Sequence, residues 1–118
     1  MRIDERNIGD VAVLMVHGDI VLNASGPLLA DRIRALLDQN RRRIVLDLTC
    51  VRYVDSSGLG ELVESFSAAR NRGGALKLLG VTKRLSDLLV VTKLWHVFER
   101  FDTQQDAVES FSPRAVAR

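Results

Sequence analysis

The residues whose types and spacing best suit a chemical role are Ser56 and Ser57, which stand between Asp55 and a helix-forming stretch. Asp and Ser side chains accept the first free backbone N–H groups of a helix, so these three residues predict a helix N-terminus. A phosphate group is also stabilised at the positive end of a helix dipole. The two hydroxyl groups are therefore candidates both for capping the helix and for phosphorylation.

Two glycines, Gly58 and Gly60, fall in the first turn of this predicted helix. Each costs up to about 1 kcal/mol relative to alanine in a helix. We interpret them as keeping the start of the helix free of side chains, so that another molecule can approach closely. If neither glycine has a positive φ, alanine at either position should leave the melting temperature unchanged or raised and should weaken binding of a partner.

The serine pair does not match the patterns of hydrolytic catalysis. A nucleophile elbow reads Gly-x-Ser-x-Gly, and Val54 occupies the first glycine position for Ser56. A catalytic triad needs a histidine, and no sequence feature pairs His17 or His96 with an acid. Both histidines are expected to be structural, and no catalytic residue is predicted. A small hydrolase that uses Ser56 is the alternative, to be tested on ester substrates.

Other ligand chemistries have little support in the sequence. A phosphate-accepting receiver domain needs a clustered acidic pair early in the chain, whereas Asp19 stands alone in its loop. One cysteine and two distant histidines give no metal-ligand spacing. Gly58-x-Gly60 lacks the third glycine of a dinucleotide fingerprint, and no Gly-x-x-x-x-Gly-Lys motif is present. The sequence therefore predicts neither a metal site nor a cofactor.

The composition is that of one soluble domain. The chain has 118 residues, of which 47% are hydrophobic and 27% charged, and a formal net charge of +2. The basic run Arg41-Arg42-Arg43 is interpreted as a solvated connection and not as a nucleic-acid contact. No segment approaches the roughly 20 apolar residues that span a bilayer, and the N-terminus does not resemble a signal peptide. Together with the lone Cys50, these features predict a cytoplasmic protein without direct membrane insertion.

Hydrophobic periodicity predicts strands that alternate with helices after an opening hairpin. The predicted strands are 3–8, 11–17, 44–48, 75–79 and 97–101. The predicted helices begin near Pro27, Ser56, Thr82 and Thr103, with apolar faces formed by Leu29, Ile33, Leu36 and Leu37; by Leu59, Leu62, Val63 and Phe66; by Leu85, Leu88 and Leu89; and by Ala107, Val108 and Phe111. Trp95, Phe98 and Tyr53 are expected to pack in the core, whereas Leu59 suits either the core or a contact with a partner.

This order of elements predicts an α/β sandwich with a mixed, mainly parallel sheet of about five strands and about four helices. We expect one domain over residues 1–111 and a flexible tail over 112–118. Loops beyond the carboxyl ends of parallel strands usually carry the functional site. The loops 18–23 and 53–58 both follow strands, so they are expected to meet at that end of the sheet.

The segment Asp55-Ser56-Ser57-Gly58-Leu59-Gly60 resembles the signature of bacterial anti-sigma factor antagonists, the single-domain members of the STAS family. Many antagonists carry a second acidic residue where this chain has Val21. Weaker similarities follow in the family's order along nearly the whole chain: Gly18-Asp19-Ile20, Arg72-Gly73-Gly74-Ala75-Leu76-Lys77-Leu78, Val81-Thr82-Lys83-Arg84-Leu85 and Leu94-Trp95-His96-Val97-Phe98.

The resemblance implies a protein–protein switch and not an enzyme. It implies that a partner kinase phosphorylates Ser56, that the unphosphorylated chain binds this anti-sigma factor with serine kinase activity and releases a sigma factor, and that a serine phosphatase resets the switch. The implied partner-binding residues are Asp19, Ile20, Val21, Asn23, Asp55, Ser57, Gly58, Leu59 and Gly60. A monomer or weak dimer is expected. The alternatives are a STAS subunit of a membrane transport or lipid-trafficking complex, or of a stress-signalling assembly.

Overall fold

A computed structural model describes residues 1–22 and 26–111, and these contain five strands and four helices. The strands are β1 (Arg2–Ile8), β2 (Val11–His17), β3 (Arg43–Asp47), β4 (Ala75–Leu79) and β5 (Arg100–Phe101). The helices are α1 (Leu28–Asp38), α2 (Ser56–Asn71), α3 (Lys83–Val91) and α4 (Gln104–Glu109). The expectations for Asn23 and for the tail 112–118 lie outside the described residues, and the domain limit at residue 111 stays a prediction.

The five strands form one sheet in the order β1-β2-β3-β4-β5. β1 pairs antiparallel with β2, and every following pair is parallel. Parallel neighbours require helical crossovers, which α1, α2 and α3 provide. The predicted mixed, mainly parallel α/β sandwich is confirmed. None of the helices in the described part of the chain is long and apolar enough to cross a membrane.

The two faces of the sheet bury different sets of side chains. Even-numbered residues of the central strands, among them Leu14, Leu46 and Leu78, join the larger core with residues of α1, α2 and α3. Odd-numbered residues, among them Val13 and Val45, join a smaller core with Ala107 of α4. Burial on both faces explains why these strands are almost continuously aliphatic in the sequence.

The segment 95–101 departs from the expected strand length and from the expected burial of Trp95. The fifth strand is limited to Arg100–Phe101 instead of 97–101. The Arg100 guanidinium donates hydrogen bonds to the backbone carbonyls of Trp95 and Phe98 and stacks 3.6 Å from the centre of the Trp95 ring. These contacts hold 95–98 in turns and prevent an extended strand there. Phe98 is buried as predicted, and Trp95 is half-buried.

Tyr53 was expected in the core, and that expectation is wrong, because its side chain is 48% exposed. Its neighbours Val51 and Val54 take the inward positions of the same segment and are buried. His17 has an acidic neighbour that no sequence feature indicated. Its Nε2 lies 3.0 Å from Asp4 Oδ2, across the β1–β2 pair.

The buried face of α2 is rotated from the predicted one. Leu62 is fully buried, but Leu59, Val63 and Phe66 are half-buried and pack at the margin of the larger core. The other buried positions of the helix are Gly58, Glu61, Ser65 and Ala69. Small and polar residues therefore take most of the buried positions of α2, a pattern that hydrophobic periodicity alone does not reveal.

Candidate partner-binding site at the carboxyl end of the sheet

The loops after β2 and β3 meet at the carboxyl end of the sheet, as predicted. Ile20 forms a parallel bridge with Val54. The Ile20 N–H donates to the Tyr53 carbonyl at 2.9 Å, and the Asp55 N–H donates to the Ile20 carbonyl at 3.2 Å. These backbone hydrogen bonds extend the sheet by one rung and fix the first loop against the segment that leads into α2. We call residues 18–22 and 51–60 together the carboxyl-end surface.

Asp55 is the residue that joins these two loops to the helix. Its Oδ1 accepts from the Gly58 N–H at 2.7 Å, which makes Asp55 the N-cap of α2. Its Oδ2 accepts from the Leu22 N–H at 3.0 Å. Hydrogen bonds from the backbone N–H groups of Leu22 and then Gly58 hold the pKa of Asp55 below its ordinary value. Asp55 is therefore a charged structural clamp, with both carboxylate oxygens engaged by the backbone.

The prediction that alanine is tolerated at Gly58 is wrong. A β-carbon at this position would lie 1.8 Å from the carbonyl oxygen of Ile20. Gly58 therefore permits close approach within the chain, because its missing side chain makes room for the Ile20 backbone. At Gly60, by contrast, an added β-carbon would meet nothing within 4 Å. Only Gly60 remains a candidate for an open contact with another molecule.

The two serines open α2 and are both exposed. Because Asp55 caps the helix, its N-terminal capping does not depend on either hydroxyl. Exposure at the first helical position leaves Ser56 accessible to another protein, while the backbone around it is fixed by the Asp55 clamp. Leu59, one turn further along, is half-buried and packs against the larger core. It serves the core and also reaches the surface.

The residues of the early loop, 18–22, differ in how far they are exposed. Ile20 is fully buried and acts as a packing residue, which differs from its expected role as a contact residue. Val21 and Asp19 are half-buried. Asp19 Oδ1 is shielded from solvent and has no hydrogen-bond partner among the described residues. Asp19 also lines a shallow cleft with the arginines Arg52 and Arg84.

Glu61 is the residue that sequence reasoning missed. Its side chain is buried, with 8% of the residue exposed, and Oε1 accepts from the N–H groups of Leu29 at 3.0 Å and Ala30 at 3.1 Å. Pro27, the N-cap of α1, makes no side-chain capping hydrogen bond. A helix that starts at proline with no capping side chain was the signal that an acceptor must come from elsewhere. Glu61 thereby fixes the start of α1, and with it the end of the early loop, against α2.

The chain also resembles known proteins. The family model of the STAS domain matches residues 2–107. The chain belongs to the STAS domain family. It is 31% identical over 97 residues to the anti-sigma-B factor antagonist of Bacillus subtilis strain 168, an alignment that covers 76% of this chain and 88% of that protein. The family and the relative's name agree with the resemblance seen in the sequence and favour the antagonist interpretation over the alternatives.

Solved structures share the fold. An anti-sigma factor antagonist from Mycobacterium paratuberculosis superposes with a TM-score of 0.77 at 21% identity, covering 92% of each chain. The Bacillus cell fate determinant SpoIIAA in its phosphorylated form has a TM-score of 0.71 at 14% identity, covering 93% of this chain and 99% of that one. At these identities the likeness establishes the fold.

Proposed function

We propose that this chain is an anti-sigma factor antagonist. In its unphosphorylated form it binds an anti-sigma factor with serine kinase activity, and the sigma factor is released. The observation that carries the proposal is an exposed Ser56 at the first position of α2, beside the clamp formed by Asp55. The relative of 31% identity, which is named as an anti-sigma-B factor antagonist, supports this class over a transport-complex or stress-assembly subunit.

Ser56 is proposed as the phosphoacceptor in preference to Ser57. Ser57 lines a cleft with Glu61 and Glu64, four and seven residues further along α2. A phosphate on Ser57 would lie one turn from Glu61, and like charges one turn apart on a helix are destabilising. Ser56 does not line that cleft. A phosphate there would lie near the positive end of the helix dipole, so the fold should tolerate it.

Phosphorylation would act on the partner contact and not on the fold. It adds roughly −1.5 to −2 charges and three acceptor oxygens. The open backbone at Gly60 lies in the same first turn, so a partner that packs closely there would meet the new charge. Desolvating an unpaired charge costs several kcal/mol, enough to dissociate a complex of moderate affinity. Removal of the phosphate by a serine phosphatase would restore binding.

The same proposal places the protein in the cytoplasm, as a binding protein without catalytic activity of its own. Asp55 supports this view, because both of its carboxylate oxygens accept backbone hydrogen bonds and its lowered pKa makes it a weak base for activating Ser56 as a nucleophile. We further propose that the domain spans residues 1–111 and that it acts as a monomer or weak dimer. The contact surface includes Asp19, Val21 and Asn23 of the early loop and Leu59 and Gly60 of α2.

The modification site is tested by incubating the protein with its cognate anti-sigma factor and ATP and mapping the product by mass spectrometry. We expect one phosphate, on Ser56. The variant Ser57→Ala should be modified as fast as wild type, whereas Ser56→Ala should not be modified. Modification mainly at Ser57, or at neither serine, would contradict the assignment.

The switch itself is tested by calorimetry with the same anti-sigma factor. Ser56→Ala should bind as tightly as the unphosphorylated wild type, and Ser56→Asp should bind more weakly. A carboxylate is smaller and less charged than a phosphate, so phosphorylated wild type should bind most weakly of all. Equal affinity for Ser56→Asp, phosphorylated and unphosphorylated protein would rule out an electrostatic switch.

A further inference from the structure

An apolar groove lies beside the carboxyl-end surface, between the segment 51–54 and α3. Its volume is about 270 Å³, and its apolar lining consists of Val51, Tyr53, Val54, Leu85, Leu88 and Val91. Two of these side chains are largely uncovered: Tyr53 is 48% exposed and Val91 is 78% exposed. Apolar side chains that line a groove and remain in water favour a contact with another molecule.

Of the charged residues that line the groove, the acidic one has an ion-pair partner and the two basic ones do not. Asp87 is paired with Lys83 at 3.1 Å, one turn away on α3. Arg52 and Arg84 also line the groove, and neither has an ion-pair or hydrogen-bond partner among the described residues. The edge of the groove therefore carries two arginines without ion pairs beside its apolar lining, with Asp19 in the neighbouring cleft that both arginines also line. A complementary ligand has apolar side chains flanked by acidic ones.

The size and position of the groove indicate what occupies it. Pockets for small molecules and cofactors usually have volumes of about 300–1,000 Å³, and this groove is smaller and open at Tyr53 and Val91. It suits a few side chains of a protein segment better than a cofactor. It is also continuous with the proposed contact surface, because Tyr53 and Val54 line it and lead directly into Asp55 and Ser56.

We propose that the groove binds an apolar, acidic segment of the same anti-sigma factor that contacts Ser56. This inference rests on the proposed function, and it adds a second part to the interface. The part at Ser56 responds to phosphorylation, whereas the groove supplies apolar contact area and a charge preference. The groove thereby contributes to the choice of partner, since a segment with basic flanks would be repelled by Arg52 and Arg84.

The apolar contribution is tested with a pair of neighbouring valines at the end of α3. Val91 lines the groove, whereas Val90 does not, and both are exposed, so either position should accept a polar side chain without unfolding. Val91→Asp should weaken binding of the anti-sigma factor by at least about tenfold in calorimetry, a change equivalent to about 1.4 kcal/mol. Val90→Asp introduces the same side chain one residue away and should leave the affinity unchanged.

The charge contribution is tested with a matched pair of arginines. Arg84→Glu should slow association and reduce its dependence on salt, because a charge at the edge of an interface acts mainly on the rate of encounter. Arg70→Glu makes the same substitution at an exposed position in the last turn of α2, outside the groove lining, and should have a much smaller effect. Thermal melting of all four variants separates loss of binding from loss of structure.

The outcomes distinguish the two proposals. If wild type binds and all four variants bind equally well, the groove inference is overturned and the proposed function stands. If wild type binds no anti-sigma factor of its own organism, the proposed function fails and this assignment of the groove fails with it. If Val91→Asp instead lowers self-association of the chain in analytical ultracentrifugation and spares anti-sigma factor binding, the occupant is a second copy and the inference is wrong.

Discussion

At both ends of the parallel strands, a glycine lets a backbone carbonyl approach closely. The two ends differ in whether their side chains have partners within the chain. At the carboxyl-end surface, Gly58 lets the Ile20 carbonyl approach so closely that a β-carbon would lie 1.8 Å from its oxygen. At the opposite end, residues 40–43 and 72–75 form what we call the amino-end surface. There Gly74 accommodates the Arg42 carbonyl, whose oxygen would lie 2.4 Å from an added β-carbon.

The side chains at these two ends behave differently. Amino-end arginines are engaged within the chain: Arg41 with Asn7, Arg43 with Asp10 at 3.0 Å, and Arg72 with Asp38 at 3.2 Å. The carboxyl-end surface instead leaves Arg52 without a partner among the described residues and exposes Leu22, Tyr53 and both serines. Close backbone packing is thus a property of the fold, whereas unengaged side chains mark the surface available to a partner.

The largest expected effect is on stability at the first of the two α2 glycines. Gly58→Ala should lower the free energy of unfolding by about 3 kcal/mol or more, the upper end of the usual cost of overpacking, because the opposing atom is backbone. Gly60→Ala is the matched control in the same turn and should leave stability unchanged or raised by up to about 1 kcal/mol. Denaturant unfolding of both variants measures the difference.

Binding measured for one glycine variant at each end sharpens the comparison. Gly60→Ala should weaken anti-sigma factor binding, because its methyl group projects into the proposed contact. Gly74→Ala should lose stability but retain affinity when measured on the folded fraction. Full affinity for Gly60→Ala would remove the start of α2 from the interface.

The next largest effect is expected at the buried cap of α1. Glu61→Ala removes the acceptor of the Leu29 and Ala30 N–H groups and should lower the free energy of unfolding by about 1–3 kcal/mol. Glu61→Gln retains one acceptor oxygen and should cost less. Glu64→Ala is the control on the same helix, since it breaks only an exposed ion pair with Arg34, usually worth less than about 1 kcal/mol. Equal losses for Glu61→Ala and Glu64→Ala would contradict the capping role.

Substituting an arginine at either end should have a smaller effect on stability. The two ends should differ in the effect of the substitution on partner binding. Arg43→Gln breaks an exposed ion pair and should cost less than about 1 kcal/mol without changing the affinity for the anti-sigma factor. Arg52→Gln breaks no contact within the described residues, so its stability should be unchanged while its affinity falls. Paired melting curves and calorimetry test both variants. A binding loss confined to Arg43→Gln would reverse the comparison.

The smallest effect concerns the acid stability of the Asp55 clamp. Its pKa is lowered in the folded state, so the unfolded chain binds the proton more readily at low pH. Asp55 therefore stabilises the fold above the ordinary carboxyl pKa of about 4, and this contribution disappears as the pH falls through the lower folded-state pKa. Unfolding of wild type and Asp55→Asn is compared from about pH 6 to about pH 2, a range that brackets the carboxyl pKa, and wild type should lose its advantage at the acidic end. Parallel pH profiles would contradict the clamp.

The sequence predicts the sheet and the helix starts well because those features depend on local patterns. The aliphatic runs of β2, β3 and β4 and the capping threonines Thr82 and Thr103 follow from near neighbours in the chain. What the sequence misses depends on distant partners. The Glu61 cap joins residues 32 positions apart, and periodicity predicts only that a charged residue should face solvent.

The same distinction applies within the candidate site. Asp55 as a helix cap could be predicted from its type and position, but its bond to the Leu22 N–H could not. Gly58 and Gly60 are indistinguishable in a helix-propensity argument. Only the position of the Ile20 carbonyl shows that Gly58 serves the fold and that Gly60 is free for a contact.

Hydrogen–deuterium exchange with and without the bound anti-sigma factor tests the central claim most directly, because it compares both ends of the sheet in one experiment. The unphosphorylated protein should gain protection over residues 18–22 and 51–60 and none over 40–43 and 72–75. Phosphorylation of Ser56 should abolish that gain. Protection confined to the amino-end surface, or unchanged by the phosphate, would contradict the account.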